Sequence, residues 1–494
     1  MTTGSSRMVR HALVALLLVA SGCVRVDPAS PPPAPADLPP PSGERPLPPA
    51  GEPEREPAEV PPPGDDAGTP PDRAIMPPDD AIFPPDAVEG AEGVGGAEAR
   101  DPALPPLRLP PVEEVRGLWV VRTALTHPDS ARIAVQRAAD AGFNTLFVQV
   151  RGRGDAYYRS PREPRAAPLL GLPDHYDPLQ VVLDEAHARG IAVHAWVNMN
   201  LVASALLPPT APDHLARSRP DLLAVPRELA PGLHRMNPWD PRYFDALAEW
   251  TVRNAERVEG IYSSPSHPEA HEHLVGVVSD LLRAYPLDGL HLDYIRYPSP
   301  DFDYSRSVLE DFRGWVRVQG VDVRWAESRV GEDPFAYVDH FPALWDRYRQ
   351  ERVTELVRTI YLTARALQPE LVVSAAVFAS AADARNARYQ AWEGWLRTGI
   401  VDAVAPMAYT TSEERFAEQI ARASTAAGGR RVWAGLGIYQ DTFEGAVRKA
   451  RLARSLGVGG VTLFSYDWAV DPDGGAGAVG AYLDRFSSEL WGVR

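Results

Sequence analysis

The most chemically pointed stretch of the chain is Leu287-Asp288-Gly289-Leu290-His291-Leu292-Asp293-Tyr294-Ile295-Arg296-Tyr297-Pro298. Read as a strand, its side chains alternate, so Leu290 and Leu292 face one side and His291 and Asp293 the other. If the apolar side packs on helices, Asp293 points to an interior where an unpaired charge is costly. Arg296 and nearby hydroxyls are the groups that would hold it ionised, either as a catalytic carboxylate or as half of a structural Asp–Arg pair. Other apolar runs carry polar residues of the same kind. Gln149 and Arg151 lead into Asp155, Tyr157 and Tyr158, and His194, Trp196 and Asn198 alternate strictly. Arg116 lies in the first run, and Met407, Tyr409, Tyr466, Asp467 and Trp468 lie at the ends of later ones. Singly, each has a packing explanation; His194 reads as a satisfied core histidine and Trp196 as filler. Together they form a rim of aromatics, amides, arginines and carboxylates. Such a rim suits sugars, whose C–H faces stack on rings while their hydroxyls need hydrogen bonds.

Other chemistries lack their residues. There is no H-E-x-x-H and no G-x-S-x-G, so neither a zinc hydrolase nor a serine hydrolase is indicated. His267, His271 and His273 fall in or beside an insertion and are expected to be solvated. No metal and no cofactor are expected. The formal charge of -16 disfavours a nucleic-acid partner, because phosphate binding needs positive faces.

These residues need elements to position them. Strands are predicted at Val115–Val121, Thr145–Val150, Ile191–Val197, Gly289–Leu292, Leu371–Val377, Ala403–Met407, Arg431–Leu436 and Gly460–Phe464. Helices are predicted between them at Ser130–Ala141, Pro178–Arg189, Glu272–Tyr285, Gln350–Leu367, Tyr389–Thr398, Glu413–Ala426 and Thr442–Leu456. Repeated strand–helix alternation implies a parallel sheet, and eight units fit an α/β (β/α)8 TIM barrel over 112–494. An open doubly wound sheet is the rival, but no G-x-G-x-x-G or P-loop follows any strand. Two gaps, Met199–His271 and Tyr297–Arg349, are too long for ordinary connections. They follow the third and fourth strands and are read as cleft walls, the first carrying Pro220, His234 and Trp239, the second Trp315, Trp325 and Trp345.

The amino terminus reads differently. Arg7, Arg10 and His11 precede the short apolar run Ala12–Ala20, too short for a membrane span and the right size for an export signal. The run ends in Val19-Ala20-Ser21-Gly22-Cys23, similar to a bacterial lipobox. Residues 1–22 are therefore expected to be a lipoprotein signal peptide and Cys23 a lipidation site anchoring the chain to a membrane. As the sole cysteine, Cys23 also rules out a disulfide framework. By similarity to Gram-negative lipoproteins, Val24 rather than Asp after it favours the outer membrane, hence a cell-envelope location on its periplasmic face. Residues 23–111 are crowded with Pro, Ala, Glu and Asp and read as a disordered tether biased toward polyproline II.

Five stretches give the barrel region a family likeness: Glu114-Val-Arg-Gly-Leu-Trp119, Val148-Gln-Val-Arg151 with Gly154-Asp-Ala-Tyr-Tyr158, His194-Ala-Trp-Val-Asn198, Asp288–Pro298 and Ala405-Pro-Met-Ala-Tyr409. In these the chain resembles the glycosyl hydrolase-like 10 family of bacterial envelope barrels. The resemblance implies cleavage of O-glycosidic bonds, with denuded peptidoglycan strands as the glycan. It departs from the family pattern after Asn198, where Met199-Asn200-Leu201 replaces Pro-Tyr-Arg. The fourth-strand motif also resembles the chitinase signature D-G-x-D-x-D-x-E, but Ile295 stands at the position of the acid. A two-carboxylate mechanism is expected instead, with Asp293 as nucleophile or base. Asp155 and Asp467 are the partners best placed by strand position, followed by Glu413 and Glu414. The substrate contacts expected are Arg116, Gln149, Arg151, Tyr157, His194, Trp196, Asn198, His291, Tyr294, Arg296, Tyr409 and Tyr466. Two other readings fit the same residues: a barrel that binds glycan without cutting it, and a hydrolase of another envelope or extracellular polysaccharide.

Overall fold

The computed structural model describes residues 114–470 and 481–493. The expected signal peptide (1–22), the expected lipidation site Cys23 and the expected tether (23–111) lie outside the described residues.

Ten strands form. Eight of them are β1 (Val115–Val120), β2 (Thr145–Arg151), β3 (Ala192–Asn198), β6 (Gly289–Asp293), β7 (Val372–Phe378), β8 (Ala403–Met407), β9 (Arg431–Gly437) and β10 (Gly460–Phe464). They close into one parallel barrel in sequence order, β10 pairing with β1. This is the predicted (β/α)8 barrel, with every predicted barrel strand present. Such strands are buried on both faces, which is why β2 and β9 are buried along their whole length and read as continuous apolar runs.

The helices between them start on a recurring device. Asp177, Ser412 and Thr442 each precede a helix and accept a hydrogen bond from a backbone N–H of its first turn. This satisfies donors that the helix itself leaves free. Inside the barrel, Trp119, Phe147, Trp196 and Trp433 fill the axis together with Ala403 and Ala405. Large rings need small neighbours. A Cβ on Gly289 would stand 2.3 Å from the His194 ring, and one on Gly437 would stand 2.9 Å from the Tyr409 ring.

The two long gaps are folded rather than loop-like. The first holds an antiparallel pair, β4 (Leu201–Ser204) with β5 (Gly260–Tyr262), and the helix Pro241–Arg253. The second holds the helices Arg306–Arg317, Arg324–Arg329 and Ala336–His340. They share one apolar core: Val202, Leu223, Phe244 and Ile261 of the first pack with Tyr304, Phe312, Trp345 and Tyr348 around the second. Trp315 and Trp345 thus belong to this core, whereas Trp239 and Trp325 are exposed. The histidines expected to be solvated are engaged at the helix Pro268–Ala284. His267 caps its first turn, His271 reaches the Pro265 carbonyl at 2.6 Å, and His273 reaches Glu163 at 3.1 Å.

Candidate active site

Asp293 is the last residue of β6, and its carbonyl accepts from Met199 N at 2.7 Å. Its carboxyl points inward. Oδ2 accepts from the Trp196 indole at 3.1 Å and Oδ1 from the backbone N–H of Tyr294 at 2.6 Å. Burial pushes the Asp293 carboxyl up to about 6, against the pull of Arg296 and of these two donors, and the nearby Glu259 charge adds to the rise. Asp293 keeps 7% of its surface exposed, so it is enclosed without being sealed.

The structural Asp–Arg pair that the motif allowed does not form. Arg296 gives its hydrogen bond to Glu259 Oε1 at 2.9 Å, and Tyr262 Oη donates to Glu259 Oε2 at 2.9 Å. Burial alone would raise the Glu259 pKa, but Arg296 holds it below the usual carboxylate range. Tyr294 turns the chain after the strand with a φ of 49°, in the left-handed region, which lays its ring under the Arg296 guanidinium at 4.6 Å.

A second polar group stands at the same end of β1, β2 and β10. Arg122, just beyond β1, donates to Gln149 Oε1 at 2.8 Å. Asp155 Oδ1 accepts from Arg153 N at 2.8 Å. Asp467, just beyond β10, accepts from Thr123 Oγ1 at 2.6 Å, and burial raises its pKa. Tyr157 is buried beside Asp155 and Arg122. Asn198 donates to the Gly152 carbonyl at 2.9 Å and keeps its Oδ1 buried without a partner. Tyr409 is half-buried, its ring 5.6 Å from Phe464 and 6.0 Å from Tyr439. The structure therefore brings Asp293, Asp155, Asp467, Gln149, Tyr157, Trp196, Asn198, Tyr294, Arg296 and Tyr409 to the carboxyl ends of the strands.

Five expected contacts are placed elsewhere. Arg116 faces the helical layer near the start of β1, bonded to the Gly142 carbonyl at 3.3 Å and lying over Trp491. Arg151 is fully buried and its guanidinium is used up by a bidentate pair with Glu163 (2.6 and 2.7 Å) and by the carbonyls of Asn198 and Met199. His194 lies low in the barrel against Phe147 and Trp433. His291 sits in the layer beneath Asp293. Its Nε2 accepts from the Trp119 indole at 3.1 Å, so its proton is on Nδ1, facing Ser374 Oγ at 2.9 Å. Burial keeps this ring neutral, with its pKa well below the usual histidine value. Tyr466 is buried and turned toward Arg137 on the helix Pro128–Asp140.

Sequence reasoning missed Arg122, Arg153 and Glu259. The first two sit in short turns after strands, Arg153 between two glycines, and that glycine-flanked arginine was a readable signal. Glu259 precedes a three-residue strand inside an insertion, where no periodicity exists to mark it.

A hollow of about 580 Å³ lies at the opposite end of the barrel. Val115, Thr145, His194, Asp288, Arg431 and Trp433 line it, at the amino-terminal ends of the strands. That end of such barrels serves stability, not reaction. Two carboxylates line it, Asp288 and Glu370, and Asp288 is bound to His187 and to Val193 N. Among the described residues no three His, Cys, Asp or Glu side chains converge to share a metal ion.

An eight-stranded parallel barrel with aromatics and carboxylates at the carboxyl ends of its strands is an architecture of glycosidases. The chain belongs to the glycosyl hydrolase-like 10 family, whose model matches residues 114–447. Glycosyl hydrolase YngK of Bacillus subtilis is 24% identical over 288 residues, 54% of this chain and 46% of that protein. Glycosyl hydrolase DigH of Escherichia coli is 24% identical over 336 residues, 60% of this chain and 66% of that protein. The chain thus spans about half of one relative and just under two thirds of the other. The PgaB (BpsB) glycoside hydrolase domain from Bordetella bronchiseptica superposes with a TM-score of 0.53 at 16% identity, covering 76% of this chain and 99% of that domain. That likeness establishes the shared fold.

Proposed function

We propose that this protein hydrolyses O-glycosidic bonds of an envelope glycan, with Asp293 as the proton donor to the leaving oxygen. The observation that carries this is the Asp293 carboxyl at the inner end of β6, held near pKa 6 by burial. An acid that must be protonated near neutral pH needs such a rise. This assigns Asp293 the acid's role in place of the nucleophile or base expected from the motif alone. The second carboxyl group of the pair is Asp155. One of its oxygens is held by Arg153 N, and the other makes no hydrogen bond among the described residues. Glu259 has both oxygens engaged, and Asp467 is buried against Thr123.

The proposed substrate is the glycan strand of peptidoglycan after removal of its peptides. Support comes from the family membership and from the export and lipobox residues ending at Cys23. In this reading Cys23 carries the lipid, the chain is held at the periplasmic face of the outer membrane, and the Pro-rich stretch spans from lipid to barrel. The test is mass spectrometry of products from denuded strands, intact sacculi and other envelope polysaccharides. Hydrolysis adds one water per cut, whereas elimination leaves an anhydro sugar. Absence of new reducing ends from every glycan overturns the proposal and leaves a glycan-binding barrel.

A further inference from the structure

The sequence holds a single lysine, Lys449, and places arginine at all its other permanently charged basic positions. That lysine stands on the helix Phe443–Ser455 and is 1% exposed. A buried ammonium is costly unless it is paired and hydrogen-bonded. Its Nζ donates to Asp441 Oδ2 at 2.6 Å and to the Thr410 carbonyl. A compact ammonium suits so enclosed a spot better than a planar guanidinium fork. Asp441 is itself fixed. Its Oδ1 accepts from Thr442 N at 2.9 Å, and Gly445 leaves room for it, since a Cβ there would stand 2.3 Å from that oxygen. Thr410 follows Tyr409 just beyond β8, and Asp441 follows Tyr439 just beyond β9. One ammonium thus ties together two turns at the carboxyl ends of neighbouring strands. These turns carry rings. Tyr409 and Tyr439 are 6.0 Å apart and nearly perpendicular, and Tyr439 also lies 6.1 Å from Phe464 and 5.9 Å from Trp468. Phe464 in turn lies 6.3 Å from Trp196, whose indole donates to Asp293. The rings therefore run without a break from the Asp293 carboxyl to Tyr439, which keeps 39% of its surface exposed.

We propose that Lys449 is a positioning residue for glycan binding: it holds Tyr439, with Trp468 beside it, as a stacking surface for a sugar ring that lies beyond the bond being cut. This rests on the glycan-hydrolase reading above and deepens it. The occupant follows from continuity with the Asp293 site and from the chemistry of the surface, since aromatic faces take the C–H faces of pyranose rings. A tyrosine supported by its own turn alone would move with that turn. Anchored through Asp441 and Lys449 to the turn of Tyr409, it keeps its place relative to Asp293, so less ordering is paid for when the glycan binds. The surface lengthens the site without touching the reacting atoms. Its effect is confined to glycans long enough to reach it.

The experiment titrates the full-length protein in detergent with peptide-free glycan fragments, from disaccharide to octasaccharide, and reads Kd by calorimetry. In the unaltered protein affinity is expected to rise with length. Tyr439→Ala, Trp468→Ala and Lys449→Met are each expected to cut the gain from the shortest to the longest fragment by about 3- to 10-fold, the range for one ring contact. The ratio of two ligands on one preparation does not depend on how much of it is folded, so a lysine with a merely structural role leaves it unchanged. Adding Lys449→Met to Tyr439→Ala is expected to change the ratio no further, because the ring it positions is gone. If Lys449→Met does not fold, Asp441→Asn, which breaks the same ion pair with little change of shape, carries the measurement. No rise with length in the unaltered protein, an equal loss or no loss at every length in the variants, or an additive further loss in the double variant overturns the proposal. If no strand is cut, the hydrolase reading fails, and the length ratios still decide this one.

Discussion

At the scale of single residues, the protonation of Asp293 ties activity to stability. Its folded pKa of about 6 lies above the usual 3.8, so the folded state holds a proton that the unfolded chain releases. Stability is therefore full below the lower value and falls as pH rises through the higher one, a loss on the order of 3 kcal/mol at neutral pH. Asp293→Asn removes that loss. We expect it to melt at higher temperature than the unaltered protein at pH 8 and to lose about 100- to 10,000-fold in kcat, the contribution of a positioned acid. Calorimetry and turnover on one preparation check both halves. Removing the Glu259 charge by Glu259→Gln takes away a neighbour that raises the Asp293 pKa and leaves the Arg296 charge unbalanced beside it. Both changes favour the carboxylate, so the alkaline limb of the pH–rate profile should move to lower pH; a shift upward contradicts this account. Asp293 was legible because alternation within Gly289–Asp293 states which side of a strand a residue faces. The same rule does not state its height in the barrel, nor whether a partner awaits it. His194 and His291 face inward as alternation required, yet they lie in lower layers. Arg151 is consumed by Glu163, a loop residue that no local pattern connects to it. Arg116 was misassigned against the rule itself, since Gly117 and Trp119 occupy the inward positions of β1.

At the scale of elements, the Arg151–Glu163 pair fastens the end of β2 to the loop that follows it, and the same guanidinium bonds the Asn198 and Met199 carbonyls of the chain leaving β3. Burial would raise the Glu163 pKa, but the Arg151 charge and the hydrogen bonds from His273 and Arg151 together outweigh it and bring the carboxyl from the usual 4.5 down to about 2. The pair's stabilisation is therefore complete above about 4.5 and disappears as pH falls toward 2, an amount on the order of 3 kcal/mol. Glu163→Gln leaves a buried guanidinium unmatched and should cost about 3–5 kcal/mol in denaturant unfolding at pH 7, with a much smaller difference from the unaltered protein near pH 2. A cost below about 1 kcal/mol at pH 7 places the pair among surface-like bridges and refutes this reading. The barrel strands were readable because both faces are buried, which writes each as an apolar run bounded by glycine and helix caps. The insertions were not, since β4 and β5 are four and three residues long and their core is shared between segments far apart in the chain. Short elements stabilised by distant partners carry little local pattern.

At the scale of the molecule, the proposed anchor predicts that Cys23→Ser moves the protein from the membrane fraction to the soluble one with turnover on soluble strands retained. Retention in the membrane fraction refutes lipidation at that residue. The barrel has a property of its own. Val115 pairs with Gly460, so the seam that seals the ring joins residues 345 positions apart. Joining ends so distant is slow, because chain entropy must be lost before the contact returns anything. Until the last strand arrives, β1 and β9 each expose an unpaired flank able to recruit a second chain. A nascent chain released before β10 has been made is therefore a sticky, open cylinder, and this last stave acts as the clasp that turns a hazardous intermediate into a closed ring.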